Sequence, residues 1–376
     1  MRFILLFLMM TFVLSHIQPD IRSGKVKSKG VNLGGWLVVE HWMTSSSVIW
    51  QGVPEYYHGY GEYGLMSYLG HNVGDERFEK HRQEWITEQD IVEMASYGIN
   101  TVRVSIGFWI AGFDKTGGSD WKVFAPNGLK YLDLLIKNWA VKHNVAVLVQ
   151  IHAAKGSQNG LDHSAPPVPG QSYWAQYPEN VRNTVDLAVF LAERYKQEIA
   201  FLGVGLLNEP SGTTDEATLK QYYLTAISEI RATGNDCILT VAPLLYQQDP
   251  DHFNDFALKE THVWQEWHKY LIWGYEDMNE DQILNIGIPG VQHQLDIWKG
   301  NPLFIGEWSI ATTNNAPFAS EESFKSFGNK YRDTITSAKG GWTYWTWKTS
   351  YDETQDISKR NSWSLRQLLR NGWFTI

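Results

Sequence analysis

From about residue 28 onward, short apolar or β-branched runs alternate with longer amphipathic ones. GVNLGGWLV is followed by QEWITEQDIVEMASYG, in which Ile91, Met94 and Ala95 recur at the i, i+3, i+4 spacing of one helix face. NTVRVSIG then reads as a strand, and LKYLDLLIKNWAVKH as a helix burying Leu132, Leu135, Ile136 and Trp139. VAVLVQIH, VDLAVFLAERYK, FLGVGLLNEP and EATLKQYYLTAISEIRATG continue the alternation, and CILTVAP, FALKETHVW, NPLFIGEW and GWTYWTWK complete a set of eight strands. Gly98, Gly234 and Gly340 stand where C-terminal helix caps belong. Alternating strands and helices predict parallel pairing, and eight such units predict a single-domain α/β protein closed as a (β/α)8 TIM barrel. The rival, an open doubly wound sheet, usually carries an early phosphate turn, and GVNLGGW lacks its G-x-G-x-x-G spacing.

The N-terminus changes that picture only at its edge. Arg2 precedes a stretch from Phe3 to Leu14 that is apolar except for Thr11, too short for a membrane span and suited to a secretory signal. Residues 1–15 are therefore expected to be a signal segment, with an approximate boundary, and residues 20–376 the barrel domain. An uncleaved anchor is the alternative. No later segment is long and apolar enough to span a bilayer. A formal net charge of −9 without a basic run argues against a nucleic-acid partner. Cys237 is the only cysteine, so no intramolecular disulfide forms, and there is no Asn-x-Ser/Thr sequon. The 18 Trp and 18 Tyr suit a large core and a flat-faced binding surface equally well.

In a barrel of this type, chemistry gathers at the C-terminal ends of the strands. Read in order, the strand ends are Glu40, Arg103, His152, Asn208 with Glu209, His262 with Trp264, Glu307 with Trp308, and Trp345 with Trp347. Two carboxylates, Glu209 after GVGLL and Glu307 after LFIG, each follow an apolar strand closely. Cleaving an acetal needs a protonated carboxyl for the leaving oxygen and an ionised one at the anomeric carbon. Arg103 and His262 are placed to hold one of the two anionic.

NEP at a strand end, GEW about a hundred residues later and RVSIG earlier resemble the family-5 retaining glycoside hydrolases. GVNLGGWLVVE, GSQNGLD and GWTYWTWK resemble one branch of that family, the exo-β-1,3-glucanases of fungal cell walls. The resemblance implies that Glu209 is the general acid/base and Glu307 the nucleophile. It implies that Asn208 binds the 2-hydroxyl of the reacting sugar and that Arg103 bonds the nucleophile. His152 and His262 would line the same subsite. Trp345 would be the platform under the ring, with Trp347 a rival, and Glu40 and Asp162 would grip the terminal glucose. The segment HVWQEW matches a family pattern reading His-x-Tyr, so Trp264 stands where a tyrosine donates to the nucleophile. His268 and Tyr270, six residues on, repeat the pattern but break the QEW register. In the family's aromatic acceptor clamp, Leu161 and Trp267 replace two phenylalanines.

The histidines form no recognisable metal motif, and neither a P-loop nor a G-x-S-x-G elbow occurs. The expectation is a secreted, extracellular or cell-wall hydrolase acting on β-1,3-glucan by double displacement. It needs no cofactor or metal, has no membrane or nucleic-acid partner in its mature form, and is expected to be a monomer. A transglucosylase that remodels wall glucan and a non-catalytic glucan-binding protein are the alternatives.

Overall fold

The computed structural model describes residues 16–376, so the expected signal segment, residues 1–15, lies outside the described residues. Eight parallel strands close into a barrel in sequence order: β1 (Ser28–Asn32), β2 (Thr101–Gly107), β3 (Ala146–Ala153), β4 (Phe201–Gly205), β5 (Ile238–Val241), β6 (Val263–Leu271), β7 (Leu303–Thr312) and β8 (Gly341–Tyr344). Closure comes from β1 pairing with both β2 and β8. Helices such as Pro178–Arg194, Glu216–Ala232 and Glu321–Ile335 cross between strands and turn Leu191, Ile227 and Phe327 into the surrounding core. Among the described residues no helix is long and apolar enough to cross a membrane.

Strand periodicity separates two cores. Outward residues such as Val147, Val149, Leu239 and Ile305 pack beneath the helices, while Ala146, Leu148, Leu202, Ile238, Trp264 and Phe304 fill the lower barrel with Ile21. Ile21 comes from the short helix Gln18–Arg22, which caps this floor.

Gly98 and Gly234 follow their helices at φ 83° and 77°, as helix-terminating glycines do; Gly340 does not, because the helix before it ends at Ile335 with Thr336 as its cap. The sixth strand departs most from expectation. The segment FALKETHVW was to carry it, but β6 begins only at Val263 and runs to Leu271. The sequence VWQEWHKYL reads as a fading strand because polar residues fill it. Its inward positions 264, 266, 268 and 270 lead from the apolar floor to the charged mouth, so hydrophobicity falls along the strand while the backbone stays extended.

Candidate active site

Arg103 organises the centre of the mouth from inside β2. Its guanidinium is fully buried and donates through Nη1 to Asn32 (2.8 Å) and Glu307 Oε1 (2.9 Å). Through Nη2 it reaches Asn208 Oδ1 (2.8 Å) and Glu266 Oε1 (2.8 Å). One cation therefore fixes side chains from four strand regions, and burial makes each of these charge-assisted bonds count. Glu307 sits in β7, and its second oxygen accepts from the Tyr270 hydroxyl at 2.9 Å.

Glu209 lies four residues beyond β4 at φ 44°. Neighbouring amides hold this irregular backbone. Gln158 Nε2 donates to the carbonyls of His152 and Asn208, and Asn159 Nδ2 to the carbonyl of Glu209. The GSQNGLD motif, in the connection after β3, is thus a brace for the main chain at Glu209, 50 residues further on. The side chain of Glu209 meets His268 Nδ1 at 2.7 Å and His163 Nε2 at 3.5 Å. One atom each of Glu209, His268 and Glu307 lie within 4.8 Å of one another.

Charge is distributed unequally over this cluster. Burial opposes ionisation of Glu209, but the bond and charge of His268, with His163 and Arg103 behind it, hold it down at about 2. His268 is pushed up to about 10: burial works against its charge, and Glu307, Glu209 and Glu266 more than offset that. Burial, with the neighbouring Glu209 charge, raises Glu307 from its ordinary value against the pull of His268, Arg103 and Tyr270. Of the two carboxyls, Glu209 is the more readily ionised in this geometry, and it faces the His268 ring. Two carboxyls this close titrate as a pair.

These groups face a cavity of about 720 Å³ lined by Glu40, Trp42, His152, Leu161, Asp162, His163, Asn208, Glu209, Leu245, Gln248, His268, Tyr270, Trp273, Glu307, Trp345 and Trp363. Glu40, eight residues beyond β1, accepts from Trp42 Nε1 at 2.8 Å. Burial and then Asp162 raise its carboxyl well above the ordinary value. Glu40, Asp162 and His163 each bring one polar atom within 4.8 Å of the others. His152 Nδ1 lies 3.2 Å from Ser105 Oγ, and its ring is parallel to Trp345, with centroids 5.4 Å apart. Its Nε2 and the Nδ2 of Asn208 are buried without a partner among the described residues. Polar atoms left bare beside a cavity fit a ligand rich in hydroxyl groups.

The structure brings together Glu40, Arg103, His152, Asp162, Asn208, Glu209, Glu307 and Trp345. Trp347 is excluded: it is fully buried and donates to Asp90. His262 and Trp264 do not reach the site. His262 precedes β6, is partly exposed and bonds the Asp236 carbonyl at 2.7 Å, while Trp264 packs in the floor against Phe304. The reason is register. With the strand beginning at Val263, the His-x-Tyr pair at the mouth is His268 and Tyr270. The same six-residue shift moves the clamp position from Trp267, which is buried against Trp298, to Trp273, which is exposed and lines the cavity with Leu161. Glu266, His163, Trp42 and Trp363 were also missed; alternation along β6 from Tyr270 back to Glu266 was the signal that could have found the first.

A closed barrel with paired acids, a guanidinium and aromatic walls at its C-terminal mouth has the architecture of a glycosidase. Residues 67–350 match the model of the cellulase family, glycosyl hydrolase family 5, and the chain belongs to that family. It is 30% identical to the glucan 1,3-beta-glucosidase of Blumeria graminis, over 86% of this chain and 82% of that protein. It is 27% identical to a probable glucan endo-1,6-beta-glucosidase B of Aspergillus fumigatus, over 87% and 84%. Among solved structures, the rutinosidase from Aspergillus niger superposes with a TM-score of 0.78 at 20% identity, covering 94% of this chain and 99% of that one; this likeness concerns the fold.

Proposed function

We propose that the protein is a secreted, retaining β-glucosidic hydrolase that cleaves β-1,3-glucan from a chain end and releases glucose. The carrying observation is the approach of Glu209 and Glu307 oxygens to within 4.8 Å. Retaining enzymes hold their carboxyls about 5–5.5 Å apart, whereas inverting ones leave roughly 6.5–9.5 Å for a water. The substrate class rests on the names of the relatives, and export on the N-terminal apolar stretch. The cluster of Glu40, Asp162 and His163 supports recognition of a terminal sugar through its hydroxyls.

Glu307 is the nucleophile in this reading, since Arg103 and Tyr270 both donate to its carboxylate. The roles follow the charge that develops in the reaction. Positive charge growing at the anomeric carbon favours the Glu307 anion, and the leaving oxygen favours a proton on Glu209. Glu307 then bonds the anomeric carbon as Glu209 protonates the departing oxygen. In the second half, Glu209 takes a proton from water, which attacks the glycosyl-enzyme and frees Glu307. Asn208 Nδ2, without a partner among the described residues, is available to a hydroxyl of the reacting sugar.

Time-resolved product analysis on laminarin tests this. Glucose alone from the first minutes, with retained β configuration, is expected; a ladder of oligosaccharides removes exo action, and no hydrolysis removes the reading. Transglycosylation is a second reading, favoured by Trp273, whose exposed ring at the mouth offers an acceptor sugar a stacking face. Products longer than the substrate at high laminari-oligosaccharide concentration would identify it.

A further inference from the structure

Beneath the two acids lies a third carboxylate. Glu266 is fully enclosed inside β6, 1% exposed, and points into the barrel below His268. Its Oε1 meets Arg103 Nη2 at 2.8 Å and His268 Nε2 at 3.3 Å, and its Oε2 accepts from the Thr240 hydroxyl. The opposite ring nitrogen of His268 meets Glu209 at 2.7 Å. One imidazole is therefore flanked by two carboxylates, one on each nitrogen. Room for this arrangement comes from β7: a Cβ on Gly306 would overlap the Glu266 carboxylate.

We propose that Glu266 is a positioning residue that keeps His268 as an imidazolium, so that Nδ1 always donates to Glu209 and never competes for the proton Glu209 must deliver. This rests on the acid/base reading of Glu209. The geometry favours it: each ring nitrogen faces a carboxylate oxygen, with Arg103 Nη2 also 3.5 Å from Nε2, and a neutral imidazole has one N–H for two acceptors, whereas the imidazolium serves both. The charged groups around His268 are Glu209 beyond β4, Glu307 on β7, Arg103 on β2 and Glu266 on its own strand, with His163 facing Glu209. Three carboxylates against one guanidinium leave the site negative, and a second cation completes it. Glu266 itself is held down at about 2: burial resists its charge, while Arg103, His268 and Thr240 favour it.

The test is the titration of His268 followed by ¹⁵N-histidine NMR on the full chain, without substrate. In the native protein both ring nitrogens are expected to stay protonated up to pH 9. In Glu266→Gln the imidazole should lose its proton at least about one pH unit lower. kcat should fall about ten- to a hundredfold, as expected for losing a charge-assisted partner, with KM little changed. Glu266→Asp keeps the charge and should keep His268 protonated. A neutral His268 at pH 7 in the native protein overturns the proposal even if no variant folds. So does a Gln variant whose His268 titrates as in the native chain. Neither result touches the hydrolase reading, which falls only if the native protein leaves β-glucan uncut.

Discussion

The lower and upper halves of β6 are built from one extended backbone and do opposite things. Below, Trp264 packs against Phe304 among Ile238, Leu202 and Ile21, an apolar floor. Above, Glu266, His268 and Tyr270 occupy the next inward positions and bond Arg103, Glu209 and Glu307. A shift of one inward step decides whether a side chain stabilises or reacts. The floor is held by burial of apolar surface. The mouth is held by charge pairing that would be costly if any partner were missing.

Breaking the charged mouth that the upper half of β6 serves should cost most. Glu307→Gln is expected to lower kcat by on the order of 10⁴-fold with the fold intact, read by laminarin turnover and circular dichroism; near-native turnover would strip Glu307 of its role. Next is the floor. Trp264→Ala should destabilise by about 3–5 kcal/mol in urea unfolding, while the folded fraction keeps its kcat at low temperature. A stable but inactive protein would show that Trp264 acts at the mouth after all.

Tyr270→Phe sharpens the boundary. Losing a donor to an anion should cost about ten- to a hundredfold in kcat/KM. The sign in pH follows from the same bond: it favours the charged form of Glu307, so its removal raises the pair's upper ionisation. The basic limb of kcat/KM should move to higher pH, and an unmoved limb would mean that Tyr270 does not serve the carboxylate. His262→Ala is the smallest change. With its ring on the Asp236 carbonyl, stability should stay within about 0.5 kcal/mol and kcat/KM should hold. A tenfold loss of activity would return His262 to the site and undo the comparison.

The contrast within β6 also explains what the sequence could and could not disclose. The barrel was legible because strands such as β3 and β4 are apolar on both faces, lined by helices outside and a packed interior below. Glu209 and Glu307 were legible because each interrupts such a run. β6 was misplaced by its own function: its inward positions carry Glu266 and His268 to meet Arg103, a partner 163 and 165 residues distant in the chain, and Tyr270 to meet Glu307. Hydrophobic patterning scores those positions as loop, and only the barrel's geometry reveals that buried charges are paired there. Glu40 shows the complementary case. It was found by motif although it stands in a long connection and not on a strand end, and burial beside Trp42 makes it part of the cavity.

The brace on Glu209 has a consequence for portability. The acid's main chain is pinned by Gln158 and Asn159, amides that belong to the connection after β3. The NEP tripeptide is therefore not a self-contained module. Grafted alone onto another barrel it would arrive without its scaffold, and a transplant that hopes to carry the proton donor must bring both loops as one unit.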